Sequence, residues 1–225
     1  MPRRSHRMRL NFGPMFVSPA PSLWLTLAFS AALCVSLLVR FWLATRQIRH
    51  VALNRQTVPP AFSAEISLAA HQKAADYTIT KTRFGLLELA LGSAVLLAWT
   101  LLGGLNALNQ GLLEWLGGGM AQQLALLAGF ALISGLIDLP LTLYQTFVIE
   151  QRFGFNKMTL RLWLADLLKS TLMGLVIGLP IAALILWLMG SAGRYWWLWA
   201  WGSWMGFNLL LLLIYPTFIA PLFNK

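Results

Sequence analysis

Asp138 is a carboxylate in the middle of an apolar stretch running roughly from Leu124 to Ile149. Placing such a group at the centre of a bilayer costs about 2.5–3.5 kcal/mol, which makes it a functional candidate by default. It stands in Asp138-Leu139-Pro140, and the proline frees a backbone carbonyl near the carboxylate. Two roles are open: Asp138 lines a hydrated cavity, or it bonds a neighbouring helix. Glu88 and Asp166 fall near expected helix starts, where the helix dipole favours negative charge. Asn208, in another apolar run, is expected to make an interhelical hydrogen bond.

The remaining catalytic inventory is thin. His6, His50 and His71 are scattered, and no His-Glu-x-x-His pair is present. Such a pair puts two imidazoles on one helix face and a general base between them. The single cysteine, Cys34, offers neither a zinc pair nor an internal disulfide, so redox compartment cannot be read from it. No Gly-x-Ser-x-Gly elbow and no phosphate-cradling loop occur. His71 has no His, Cys or paired carboxylate four residues away, so it reads as a solvent or interface histidine. These residues by themselves do not make an active site.

The elements that would position them are membrane helices. Only 11% of the 225 residues are charged and 58% are hydrophobic. A soluble domain usually carries about 25% charged residues. A soluble enzyme, a disordered tail and a disulfide scaffold are therefore excluded. A hydrocarbon core of about 30 Å needs about 20 apolar residues per crossing. Five runs meet that requirement, at about 23–43, 84–108, 124–149, 160–189 and 195–219. The fold class is all-α: a polytopic membrane protein with a partly helical loop after the first span. Residues 1–20 form a tail and 21–225 the transmembrane domain. The first run is longer than a signal-peptide core and is followed by Arg40, Arg46 and Arg49, so it is a retained helix.

The formal charge is +10. In a soluble domain that excess would suggest nucleic acid. Here the basic residues punctuate apolar runs, so they orient loops and no nucleic-acid partner is expected. Arg40, Arg46, Arg49, Arg55, Lys73, Lys81 and Arg83 follow the first span, while Arg152, Lys157, Arg161 and Lys169 follow the third. Both connections are expected in the cytoplasm, with the N-terminus outside and Lys225 inside. Arg3, Arg4, Arg7 and Arg9 oppose this orientation, and a start at Met15 would remove all four.

Pro59 and Pro60 break the first loop, and a helix from Ser63 to Lys81 is expected to feed the second span, with Ile66, Ala70, Ala74 and Tyr77 on one face. Trp196, Trp197, Trp199, Trp201 and Trp204 mark a membrane boundary, where an indole is apolar with a wet N–H. Gly174/Gly178 and Gly202/Gly206 have the spacing that lets helices approach closely.

One stretch says more. Asp138-Leu139-Pro140, Tyr144, Phe147-Val148-Ile149-Glu150 and Arg152-Phe153-Gly154-Phe155-Asn156-Lys157 resemble the third span and following loop of the integral-membrane type I CAAX prenyl protease family. Tyr215-Pro216-Thr217-Phe218-Ile219-Ala220-Pro221-Leu222-Phe223-Asn224-Lys225 resembles that family's exit from its fifth span. The Tyr195-Trp196-Trp197 motif, the long first loop and the count of five spans agree with it. The resemblance covers the chain from about Pro21 onward.

It implies a zinc metalloendopeptidase whose helices enclose a chamber for hydrophobic or prenylated C-terminal peptides. The metal is held by His-Glu-x-x-His and a downstream Glu, in a part that follows the segment matching Lys225. No zinc ligand or base is transferable to a position present here. The chain is thus expected to form the membrane domain of such an enzyme, inert alone, with the lipid bilayer, a C-terminal catalytic domain and the peptide substrate as partners. Asp138, Pro140, Tyr144, Glu150, Arg152, Phe153, Gly154, Phe155 and Asn156 are the family-motif or chamber-shaping candidates. Their loop either fixes how spans three and four pack or touches the catalytic domain or substrate tail. Gly154 suits a tight turn, and Asn156 or Thr159 suits a helix cap. The expected location is the inner membrane of a bacterium or the endoplasmic reticulum of a eukaryote. The competing expectation is a stand-alone small transporter or scaffold subunit whose pathway is lined by Asp138, Glu88 and Asn208.

Overall fold

The first helix, α1 (Pro19–Leu53), has 35 residues. At 1.5 Å per residue it is about 52 Å long. It outruns a hydrocarbon core of about 30 Å by several turns, and its polar end carries Arg46, Arg49 and His50. The computed structural model describes residues 19–215, with side chains from Leu23 onward. Arg3, Arg4, Arg7, Arg9, Met15 and the run from Pro216 to Lys225 lie outside the described residues.

A short 3-10 turn, Pro60–Phe62, starts the return to α2 (Leu68–Thr100). The expected helix from Ser63 begins five residues late, because Ser67 is extended (ψ 150°) and its hydroxyl accepts from the Ala70 amide at 3.2 Å. Ile66 is therefore outside the helix, its amide donating to the Phe62 carbonyl at 2.9 Å. Ala70 and Ala74 are exposed and Ala75 is the buried alanine of this region.

The second span does not run unbroken to about Leu108. α2 stops at Thr100, where the amides of Leu101 and Leu102 both donate to the Leu97 carbonyl, at 2.8 and 3.0 Å. Gly103 then turns the chain at φ +81° into α3 (Gly104–Leu116). The chain returns through α4 (Met120–Tyr144), which a wide π turn (Gln145–Glu150) and α5 (Gln151–Phe153) prolong. α2 and α3 run antiparallel to this long rod. Gln122 donates to Asn109 at 2.5 Å, and the Trp99 indole donates to Ser134 at 3.1 Å while meeting Phe130 edge-on at 5.1 Å. Further along, Phe84 stacks on Tyr144 at 5.4 Å.

α6 (Leu160–Ser191) and α7 (Trp196–Ile214) complete the chain as a hairpin through the turn Gly193–Tyr195. Among the described residues there is no strand, and five helices are long and apolar enough to cross a membrane. The fold is all-α and polytopic.

Several polar and small residues behave differently from expectation. Glu88 lies twenty residues into α2, so the dipole of that helix start does not reach it. Asn208 donates one amide N–H to the Trp204 carbonyl of its own helix at 2.7 Å rather than to a neighbouring helix. Gly174 and Gly178 line an open apolar recess between α4 and α6, and a Cβ at either would meet nothing within 4 Å. Gly202 and Gly206 also face open space. The spacing permits close approach without producing it. Asp166 sits in the second turn of α6, 3.5 Å from Lys169.

Candidate functional site

The described chain buries few side chains, and three of the buried hydrophobics form one cluster: Phe84, Ile149 and Phe153, flanked by Tyr77 and Leu141. It lies where the polar end of α2 meets the end of the α4 rod. The π turn places Ile149 inward and Glu150 beside it, and wide turns of this kind recur at functional sites.

Glu150 is the hub. Its Oε1 accepts from the Tyr77 hydroxyl at 2.7 Å and lies 3.3 Å from the Lys81 Nζ. Lys81 also donates to the Tyr77 oxygen at 2.9 Å. The result is a relay of donors, ammonium to phenol to carboxylate. The backbone carbonyl of Glu150 accepts the amides of Phe155 and Asn156, at 2.9 and 3.2 Å. One residue thus holds α2 through its side chain and the following loop through its backbone.

The loop closes over the same tyrosine. Gly154 adopts φ +81°, a left-handed conformation that glycine takes without steric cost. That turn lets Phe153 meet the Tyr77 ring edge-on at 5.2 Å and Phe155 meet it at 4.7 Å. Arg152 is exposed, its guanidinium 5.9 Å from the Phe153 ring centroid. The Asn156 carbonyl oxygen accepts the Met158 amide at 2.7 Å, and Thr159 caps α6 by accepting from Leu162 at 3.3 Å. Of the two candidate caps, Thr159 does the capping and Asn156 shapes the turn before it.

The loop between α1 and α2 is pinned to the same end. Arg55 clamps Asp76 through two hydrogen bonds, at 2.7 and 2.8 Å. The Arg55 hydrogen bonds hold the Asp76 carboxyl below its usual range, and those to Asp76 hold the Arg55 guanidinium above its own. Gln72 donates to Gln56 at 2.7 Å, and the His71 Nε2 is 3.0 Å from the Asn54 carbonyl. His71 is an interface histidine.

Of the nine candidates, the structure gathers Tyr144, Glu150, Arg152, Phe153, Gly154, Phe155 and Asn156 at this end of the bundle. It does not bring Asp138 and Pro140 there. Asp138 is exposed on α4, its carboxylate without a partner among the described residues, while its backbone carbonyl accepts from the Thr142 hydroxyl at 3.1 Å. Pro140 continues the same helix, also exposed. Lys81, Arg55, Asp76 and Phe84 join the site although none stood out as a site residue in the sequence. The signal for Lys81 was its place one turn after Tyr77, which only the distant Glu150 makes meaningful.

The arrangement positions helices; it has no activated nucleophile. Nor do the residues fit zinc. No group of three or more His, Cys, Asp or Glu side chains converges among the described residues, and the His71 ring is engaged by a backbone carbonyl.

Comparison with known proteins identifies what this node belongs to. Residues 47–225 match the family model described as CAAX prenyl protease N-terminal, five membrane helices. The chain belongs to the CAAX prenyl protease family. It is 33% identical over 214 residues to a CAAX prenyl protease 1 homolog of Oryza sativa, covering 87% of this chain and 48% of that protein. The Homo sapiens CAAX prenyl protease 1 homolog is 33% identical over 211 residues, covering 88% and 43%. The crystal structure of S. mikatae Ste24p superposes with a TM-score of 0.80 at 28% identity, over 88% of this chain and 47% of that one. The chain thus spans just under half the length of these CAAX prenyl protease relatives and corresponds to their five-helix membrane part. It is an integral, multi-pass membrane protein.

Proposed function

We propose that this chain forms part of the wall of an intramembrane chamber in a zinc metalloendopeptidase that receives hydrophobic or prenylated C-terminal peptides. Its task is architectural: it shapes the chamber and holds its basic end in register, while metal and general base come from a catalytic domain outside these 225 residues. The observation that carries this reading is the match of residues 47–225 to the family's five-helix part, in a fold superposing on Ste24p. Convergence of two basic connections at one end supports an orientation with that end in the cytoplasm. Lys81 from the first lies beside Glu150 and Lys73 beside Gly154, while Lys157 from the second lines a recess with Glu150.

The test is turnover of a farnesylated C-terminal peptide by the purified 225-residue chain in detergent, with added zinc. No cleavage above background is expected. The gene downstream of codon 225 is expected to encode an in-frame His-Glu-x-x-His. Chelator-sensitive turnover by the chain alone would overturn the division of labour.

A further inference from the structure

We propose that the polar end of α1 is a binding face for the headgroup of an anionic phospholipid, built by Arg46 and Arg49 with Trp42 at its inner edge. The proposal is independent of the protease reading and rests on charge, depth and the absence of acid on α1.

Charge comes first. The helix carries Arg40, Arg46, Arg49 and His50 and not one Asp or Glu from Pro19 to Leu53. Two basic side chains that follow on the same connection are committed, Arg55 to Asp76 and Lys81 to Glu150. Arg40, Arg46 and Arg49 have no ion pair among the described residues, and Arg40 and Arg49 are exposed. The sequence has supplied Asp76 to one arginine of this stretch and no acid to three others. These three guanidinium groups are thus left available to an anion from outside the described chain.

Depth says from where. The first apolar run ends near Leu43. At 1.5 Å per residue Arg46 lies about 4.5 Å beyond that point and Arg49 about 9 Å beyond. The headgroup layer on each side of the hydrocarbon core is roughly 5–8 Å thick. Arg46 therefore falls at the level of lipid phosphates, and Arg49, just beyond that layer, reaches it because a helical side chain leans back toward the N-terminus of its helix. Arg40, one turn inside, reaches the same level by extending its side chain outward.

The inner edge fits as well. Arg46 lies over the Trp42 ring, 4.8 Å from its centroid, and Trp42 is 57% exposed. An indole at the interface with a guanidinium above it presents an apolar wall to the acyl region and charge to the phosphate. Leu43, Arg46, Gln47, Arg49, His50 and Leu53 line one shallow recess, apolar at both ends and polar between. The bidentate geometry of guanidinium suits a phosphodiester.

The test uses the full chain in detergent and native mass spectrometry. The probes are dioleoyl phosphatidylglycerol and the zwitterionic dioleoyl phosphatidylcholine of equal chain length. The chain is expected to retain phosphatidylglycerol at least fivefold more than phosphatidylcholine, since each basic residue near an anionic surface is worth roughly fivefold in affinity. Arg46→Gln/Arg49→Gln is expected to abolish the preference, Arg46→Lys/Arg49→Lys to keep part of it, and Arg194→Gln, at the opposite end, to leave it unchanged. Should the glutamine variant fail to assemble, the wild-type chain still decides: its preference must collapse when the volatile electrolyte, ammonium acetate, is raised to about 0.5 M, which screens an exposed phosphate–guanidinium contact. Equal retention of the two lipids, a preference that survives the double glutamine variant, or occupation of this face by a second copy of the chain would overturn the proposal.

Discussion

The Tyr77 hydroxyl donates to the Glu150 carboxylate across 2.7 Å, joining residues 73 positions apart. The Glu150 side chain is 20% exposed, so water replaces a lost partner poorly. Tyr77→Phe keeps both ring contacts, to Phe153 and Phe155, and removes only the donor. It is expected to cost about 1.5–3 kcal/mol, in line with a hydrogen bond to a charged group. Tyr77→Ala also loses the aromatic packing and is expected to cost about 3 kcal/mol or more. Thermal unfolding of the two variants in one detergent checks this; equal costs would mean that the hydroxyl contributes nothing.

Lys81 is expected to matter less than Tyr77 although it touches the same carboxylate oxygen. It is 49% exposed and 3.3 Å away. An exposed ion pair is worth about 0–1 kcal/mol. Lys81→Met should therefore lower stability by less than Tyr77→Phe. The double variant should depart from additivity, because Lys81 also donates to the Tyr77 oxygen. Strict additivity in a double-mutant cycle would show the relay to be two separate contacts.

The Arg55–Asp76 clamp gives a pH dependence whose sign is fixed. Both residues precede Phe84, where the apolar part of α2 begins, and face the polar end of the bundle. Hydrogen bonds from Arg55 lower the Asp76 pKa from its reference of 3.8, so the folded state favours the ionised form. That contribution is complete above pH 3.8 and disappears as pH falls further, through the lowered folded value. The Tm difference between wild type and Asp76→Asn is expected to be constant from pH 7 to pH 5 and to shrink below pH 4. A difference unchanged down to pH 2 would show that protonation of Asp76 does not release the clamp.

The helices were legible because an apolar run of about twenty residues is a local property. The Gly154 turn was legible for the same reason, since its left-handed backbone is a need of one residue. The node at Glu150 was only half visible. Its motif stood out in the sequence, but its partners Tyr77 and Lys81 lie on another helix, and no periodicity connects them. Glu88 is near a helix start only if α2 is counted from its apolar run at Phe84, sixteen residues after its actual first residue, Leu68. The helix persists through a polar stretch once Ser67 caps it. Asn208 and the Gly174/Gly178 pair show a different limit. Residue type permits an interhelical contact, whereas the actual neighbour depends on how the bundle closes.

Gly154→Ala is expected to destabilise through the backbone alone. At φ +81° an L-residue pays about 1–2 kcal/mol for the left-handed conformation. The space itself is open, with only the Lys73 Nζ at 3.8 Å from the added Cβ. Gly154→Asn should therefore recover most of the loss, since asparagine visits this region more readily. A full loss with asparagine would point to a steric conflict instead.

Gly104 and Gly129 separate packing from propensity at the other end of the bundle. A Cβ at Gly104 would lie 2.8 Å from the Ala98 carbonyl oxygen and 3.2 Å from the Trp99 ring. The first is a backbone atom, so the α2–α3 joint must open to admit a methyl group. Trp99 would move with it, and its bond to Ser134 and contact with Phe130 tie that movement to α4. Gly104→Ala is therefore expected to cost about 1–3 kcal/mol, the usual penalty of overpacking. At Gly129 the nearest atoms are the Leu108 methyl carbons, at 3.5 and 3.6 Å, an ordinary contact with a flexible side chain. Alanine there gains up to about 1 kcal/mol of helix propensity and should be neutral or stabilising. Parallel thermal unfolding of the two variants reads the contrast directly. Because the same substitution is made in both cases, an equal effect would mean that the close approach at Gly104 does not hold the joint.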